Sequence, residues 1–325
     1  MADLVRVENL VKHFPIGGGL LGGPAGVVKA VDGISFTVRK GETLGLVGES
    51  GSGKSTTGRL LLRLIEPTSG KALFGDSELF GLGRSEMGGL RRKMQIVFQD
   101  PYGSLNPRMS VSNILREGLE PRRLSRLEQE AEISRLLDTV GLRSAHRNRY
   151  PHEFSGGQRQ RIGIARALAV QPEFLIADEP VSALDVSIQA QVLNLLLDLQ
   201  QTLGLTMLFI AHDLAVVRHM SDRIAVMYLG KIVELAPSER IYADPRHPYT
   251  RTLLAAIPRP DPDAAPARPP AESGSAEAGG CVFRARCSFA QAVCSQPPPL
   301  REIAPGQHSA CHFAESLPDY AAGDQ

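Results

Sequence analysis

Gly48-Glu49-Ser50-Gly51-Ser52-Gly53-Lys54-Ser55 places two glycines, a lysine and a hydroxyl at the Gly-x-x-x-x-Gly-Lys-Ser spacing, directly after the apolar run Leu44 to Val47. The glycines let the backbone wrap so that successive N–H groups face an anion, and a following helix adds its positive end. Lys54 would reach the β- and γ-phosphates of a nucleotide, and the Ser55 hydroxyl would ligate Mg²⁺. A second constellation, Phe174-Leu175-Ile176-Ala177-Asp178-Glu179-Pro180, ends an apolar run in adjacent carboxylates. At the carboxyl edge of a parallel sheet, Asp178 would hold Mg²⁺ through water and Glu179 would face an attacking water. A third lies near the end of the chain, where all four cysteines occur: Cys281, Cys287, Cys294 and Cys311. Four thiolates are a complete ligand set for tetrahedral Zn²⁺ or an iron–sulfur cluster, but the spacing lacks the paired C-x2-C knuckles of structural zinc, and unliganded thiols are the third reading.

Positioning these groups requires strands that end beside a phosphate loop. Ile34 to Val38, Gln95 to Phe98 and Met207 to Ala211 read as short β-branched or apolar strands, and they alternate with helical patterns from Leu4 to about Pro258. That alternation predicts an α/β domain over 1–258. Arg116 to Arg149 is charged and helical with no strand signal, a helical insertion into that core, within a helical subdomain of about 100–170. Residues 259–280, rich in Pro and Ala, read as a linker to a four-cysteine extension over 281–325.

Composition bounds the partners. The chain has 325 residues, and 36 basic against 35 acidic side chains leave a net charge of +1, which offers no field to recruit nucleic acid or anionic lipid. The first residues lack the n-region and apolar core of a signal peptide, and no stretch approaches the roughly 18 apolar residues of a membrane helix. The expectation is a chain at the cytoplasmic face of the inner membrane that meets the bilayer only through partner subunits.

Phe154-Ser155-Gly156-Gly157-Gln158, taken with Gln99, Ser182 to Asp185 and His212 in this order around the phosphate loop, resembles the ATP-binding subunit of ABC transporters. The resemblance implies a P-loop NTPase with a RecA-like core, an antiparallel β-subdomain and a helical subdomain. It implies that Gly48 to Ser55 and Thr56 hold ATP, with Ser55, Gln99 and Asp178 around Mg²⁺. Glu179, His212 and Gln99 would form the hydrolytic set, His212 touching the γ-phosphate. Ser155, Gly156, Gly157 and Gln158 would act on the nucleotide of a facing subunit, and Asp185 would bridge the two halves of that head-to-tail dimer. An aromatic that stacks on adenine is expected upstream, and Phe14 is the candidate, with a core phenylalanine as the other reading. Phe154 stands where many relatives carry leucine.

Gly41 to Ser55, Phe98 to Arg108 and His247-Pro248-Tyr249-Thr250-Arg251-Thr252-Leu253-Leu254 narrow the resemblance to the oligopeptide/dipeptide importers, and to the second of their two ATPase subunits. That group implies a second ATPase subunit, two membrane permeases and an extracytoplasmic solute-binding protein. Its solutes are short peptides, with nickel complexes or glutathione as alternatives. Similar tails in the group are associated with a [4Fe–4S] cluster, Zn²⁺ being the alternative, and Arg284, Arg286 and His308 or His312 flank the cysteines here. Soluble ABC ATPases of DNA repair or ribosomes are the competing class. They carry a long coiled coil or two fused ATPase halves, and this sequence has one set of motifs and no sustained heptads.

Overall fold

The structure is a computed structural model that describes residues 2–17, 26–257 and 279–320. The expected linker falls almost wholly outside these residues, as does most of the Gly17 to Gly23 insertion.

Along the chain, strands β1 (Asp3–Ile16) and β2 (Gly26–Arg39) show buried positions interleaved with exposed ones, the pattern of an antiparallel sheet covered on one face. By contrast, β3 (Thr43–Val47) is buried at every position, as a strand covered on both faces must be. Then come α1 (Lys54–Leu61), β4 (Ser69–Phe74), β5 (Ser77–Glu78) and α2 (Arg84–Lys93). Arg91, Arg92 and Lys93 close α2, where cations offset the negative end of the helix dipole. Next are β6 (Met94–Val97), α3 (Val111–Leu119), α4 (Arg126–Thr139), α5 (Gly156–Leu168), β7 (Phe174–Asp178), α6 (Val186–Leu203) and β8 (Thr206–Ala211). The chain continues with α7 (Leu214–Met220), β9 (Arg223–Tyr228), β10 (Lys231–Pro237), α8 (Ser238–Ala243), α9 (Pro248–Ala255), β11 (Arg301–Ala304) and β12 (Gln307–Ser309).

These elements form two compact units. The first gathers Gly81–Ile210 with the short stretches 2–4 and 38–42. Its strands β6, β7 and β8 run parallel, with Gln95 opposite Leu175 and Asp178 opposite Ile210. The expected helical insertion is α3 and α4, whose apolar faces bury Ile114, Leu115, Ile133, Leu136 and Leu137. Ser125 and Glu128 close a capping box at the start of α4. Glu132 accepts from Arg135 and Arg122, and these hydrogen bonds outweigh its burial and hold its carboxyl at about 2.

The second unit gathers the described residues of 5–37, 43–80 and 211–320. One sheet runs β2-β1-β4-β5, with Val5 opposite Phe74 in the antiparallel β1–β4 pair. In the other, β3 lies parallel to β9, β9 turns back into β10 through Leu229 and Gly230, and β12 and β11 of the extension continue the sheet. Both turn residues have positive φ, the demand of a two-residue hairpin, which is why one of them is glycine. The four-cysteine extension therefore adds strands to this sheet, with Leu235 opposite His308.

Candidate functional site

The phosphate loop belongs to the second unit and begins where β3 ends. Gly48 has φ +153, and a Cβ there would stand 2.0 Å from the Met227 carbonyl oxygen. Gly53, at φ +104, would bring a Cβ within 2.0 Å of the Ala30 carbonyl oxygen. Both contacts are with backbone, so these positions admit glycine alone. Lys54 opens α1 and is only 4% exposed. Its ammonium donates to the carbonyls of Gly48 at 2.7 Å and Glu49 at 2.8 Å and to the Ser52 hydroxyl at 3.4 Å. A buried cation held by carbonyl dipoles inside its own loop is poised for a stronger acceptor, and phosphate oxygens give charge-assisted bonds. Ser55 and Thr56, both half-buried, occupy the first turn of α1.

Glu49 sits differently from its neighbours in the loop. Its N–H donates to the Tyr249 hydroxyl at 2.9 Å, and its carboxylate accepts both terminal nitrogens of Arg286 at 3.0 Å each. Phe14 is 36% exposed with the Lys12 ammonium 4.8 Å from its ring centroid. The adjacent His13 Nε2 lies 2.9 Å from Asp32, which also receives Lys231 at 3.1 Å. Burial pushes the Asp32 carboxyl up, but the bonds from His13 and Lys231 prevail and hold it below the usual carboxylate range. His212 is exposed, just beyond β8, and the next residue, Asp213, caps α7 by accepting the Ala215 N–H at 2.7 Å.

The first unit carries the carboxylates. Asp178, 2% exposed, is the last residue of β7. Glu179 follows at φ +45, a left-handed backbone that costs a non-glycine residue of order 1 kcal/mol, and its N–H is pinned to the Ile210 carbonyl at 3.0 Å. The Gln99 amide donates to the Glu179 carboxylate at 3.0 Å, so two residues read separately from the sequence meet here. Ser155 caps α5: its hydroxyl accepts the Gln158 N–H at 3.4 Å while the Gln158 side chain accepts the Ser155 N–H at 3.1 Å. Gly157 has no room for a side chain, because its Cβ would come 2.3 Å from Ile188, and Gly156 lies close to Leu184. Asp185 is exposed at the cap of α6.

In the extension, Cys281, Cys287, Cys294 and Cys311 line one cavity of about 10 Å³ with His247 and three phenylalanines. Cys294 and Cys311 are buried, and burial raises the thiols of Cys281 and Cys287 and pushes Cys311 up to about 11. The donor chemistry suits a soft metal. The cavity, however, is about one water in size, and no three His, Cys, Asp or Glu side chains among the described residues are arranged to hold a metal ion.

The family model for ABC transporters matches residues 31–182, and the model for the oligopeptide/dipeptide transporter C-terminal region matches residues 233–294. The oligopeptide transport ATP-binding protein OppF of Bacillus subtilis is 59% identical over 263 residues, 80% of this chain and 84% of OppF. The chain belongs to the ATP-binding proteins of the oligopeptide/dipeptide ABC transporter family. A putative peptide import ATP-binding protein of Brucella ovis is 52% identical over 322 residues, 95% of this chain and 97% of that protein. Among solved structures, cbiO1 of Clostridium perfringens, part of an ABC transporter complex, has a TM-score of 0.64 at 28% identity, covering 74% of this chain and 91% of its own. A dimeric ATP-binding cassette in a post-hydrolysis state, bound to ADP and Pi, has a TM-score of 0.64 at 28% identity, covering 72% of this chain and 98% of its own.

As a member of this family the chain is an ATPase with the cassette fold expected from its sequence, a P-loop NTPase with an antiparallel β-subdomain and helices. Such subunits work as dimers beside membrane permeases. No helix among the described residues is long and apolar enough to cross a membrane. The tie between Tyr249, Arg286 and Glu49 was not legible in the sequence. His247 to Leu254 reads there only as a family mark, and Arg286 as one of several charges near the cysteines.

Proposed function

We propose that the chain powers uptake of short peptides, hydrolysing ATP at the cytoplasmic face of the inner membrane as one of two ATPase subunits attached to two permeases and served by an extracytoplasmic binding protein. The names of the relatives support the peptide reading. The observation that carries the hydrolytic reading is the Gln99–Glu179 hydrogen bond at the carboxyl end of parallel strands. In this reading Gly48 to Ser55 and Thr56 hold the triphosphate, Phe14 stacks on adenine, and Lys54 leaves its own carbonyls for the β- and γ-phosphates. The Ser55 hydroxyl, the Asp178 carboxylate and Gln99 are hard oxygen donors that suit Mg²⁺, which when bound neutralises charge developing on the phosphates. Glu179, oriented by Gln99, receives the hydrogen bond of the attacking water, and His212 contacts the γ-phosphate. Ser155 to Gln158 bind the γ-phosphate held by the opposing subunit, across which Asp185 bridges. Loss of that phosphate removes the link between the subunits and couples chemistry to movement.

The four cysteines are soft donors of the kind an iron–sulfur cluster or zinc would take, but around a cavity of about one water, with no three of them arranged to hold a metal ion, they do not fit either group as placed. The protein has to open around such a group, since the cavity is far smaller than a cluster, and no step of hydrolysis runs through it.

Glu179→Gln tests the hydrolytic reading. The amide keeps size and the Gln99 contact but cannot accept a proton, so ATP binding is retained while turnover in the assembled transporter falls by about 100-fold or more. Turnover within a few-fold of wild type removes Glu179 from its assigned role.

A further inference from the structure

Glu49 is the second residue of an anion-binding loop, yet it carries a negative charge. Left alone, that carboxylate would oppose the phosphates for which the loop is built. Arg286 answers it with a two-pronged pair, both terminal nitrogens at 3.0 Å from the carboxylate oxygens, and the arginine side chain is only 8% exposed. Its guanidinium lies 5.6 Å from the Tyr228 ring and 5.5 Å from the Phe283 ring, and one nitrogen reaches the Tyr228 hydroxyl at 3.4 Å. This arginine cannot swing freely. It ends the short turn Arg284–Arg286, braced by the Arg286 N–H on the Phe283 carbonyl at 3.0 Å and the Cys287 N–H on the Arg284 carbonyl at 3.3 Å. Phe283 packs edge-on against Tyr228 with centroids 5.3 Å apart and lies 5.4 Å from Tyr249. Tyr249 in turn accepts the Glu49 N–H at 2.9 Å. Both handles of Glu49, amide and carboxylate, are thus gripped from the C-terminal part of the chain.

We propose that Arg286 is a positioning residue for ATP binding: it cancels the Glu49 charge and fixes the entry of the phosphate loop, so that the four-cysteine extension completes the nucleotide site. Arginine is required rather than lysine, because the pair is bidentate and the planar group lies beside two rings. This inference rests on the reading that Gly48 to Ser55 carry the triphosphate.

The test is the dissociation constant of Mg-ATP for the full-length protein, measured calorimetrically at low and at 0.5 M salt, with the thermal midpoint recorded for each variant. Arg286→Ala is expected to weaken ATP about fivefold at low salt, the size of one partly screened charge acting on a polyanion, with a smaller effect at high salt. Arg286→Lys falls between. Arg286→Ala combined with Glu49→Gln is expected to restore affinity to within about twofold of wild type, because the uncompensated charge has gone with the arginine. Wild-type affinity in Arg286→Ala overturns the proposal. So does a double variant as weak as Arg286→Ala, since the defect would then be one of docking the extension and not of charge. Lys54→Ala separates the two readings: normal ATP binding by that variant sinks the assignment of the loop itself, whatever Arg286 does.

Discussion

Glu234 lies on β10 with no exposed surface, and its carboxylate accepts the N–H groups of Arg246 at 2.7 Å and His247 at 3.0 Å. The Gln307 amide of the extension reaches it at 3.4 Å. Burial disfavours the charged form more than these donors favour it, and the carboxyl is pushed up to about 7. In the unfolded chain it titrates near 4.5. Between these values the folded protein holds a proton that the unfolded chain has lost, so this contribution to stability is full below about pH 4.5 and gone above about pH 7. A gap of that width corresponds to about 3 kcal/mol. Glu234→Gln removes the titration and adds a constant cost of about 1–2 kcal/mol, because an amide presents only one acceptor to several donors. The measurement is urea unfolding of full-length wild type and Glu234→Gln at half-unit steps from pH 4.5 to 8. Other groups, including His247, which burial keeps neutral down to about 3, are common to both proteins and cancel in the difference. Wild-type stability minus that of the variant is expected to fall by about 3 kcal/mol across the window. Parallel curves, within about 0.5 kcal/mol over that range, would refute the argument.

Gly53→Ala must either push the Ala30 carbonyl aside or rebuild the loop, and it is expected to lower ATP affinity by more than about tenfold with α1 itself retained, as read by calorimetry and circular dichroism. Metal analysis of protein purified without oxygen tests the cysteine cavity: neither iron with acid-labile sulfide nor zinc is expected while the thiols stay as placed, and stoichiometric iron and sulfide would show that the extension opens around a cluster.

The local chemistry was legible because each part lies within a few residues. Loop, lysine and helix start are contiguous, and α1 opens at Lys54 as the Gly-Lys-Ser register requires. The strand before Asp178 and the one before His212 are continuous apolar runs, and they appear as β7 and β8. Ile34 to Val38 reads as a strand, but β2 runs back to Gly26, because exposed Val27 and Val28 break the inward alternation by which its first half would be recognised. The helical insertion begins earlier than its charges announce, at Val111, since the first turn of α3 is marked by buried Val111 and Ile114 rather than by charge. Pairing of β12 with β10 and the grip of Arg286 on Glu49 depend on tertiary register, and no pattern within a short window encodes either.

The Glu49–Arg286 pair spans 237 residues of chain. A ribosome makes the phosphate loop early and the arginine that steadies it late, so for most of synthesis a nascent chain displays Gly48 to Ser55 with an unanswered carboxylate. Closing so long a loop comes late, which leaves the last stretch of translation to add the roughly fivefold gain in ATP affinity expected of this pair. Prematurely ended chains would contain every residue of the hydrolytic set and, on the proposed role of Arg286, would hold ATP about fivefold more weakly.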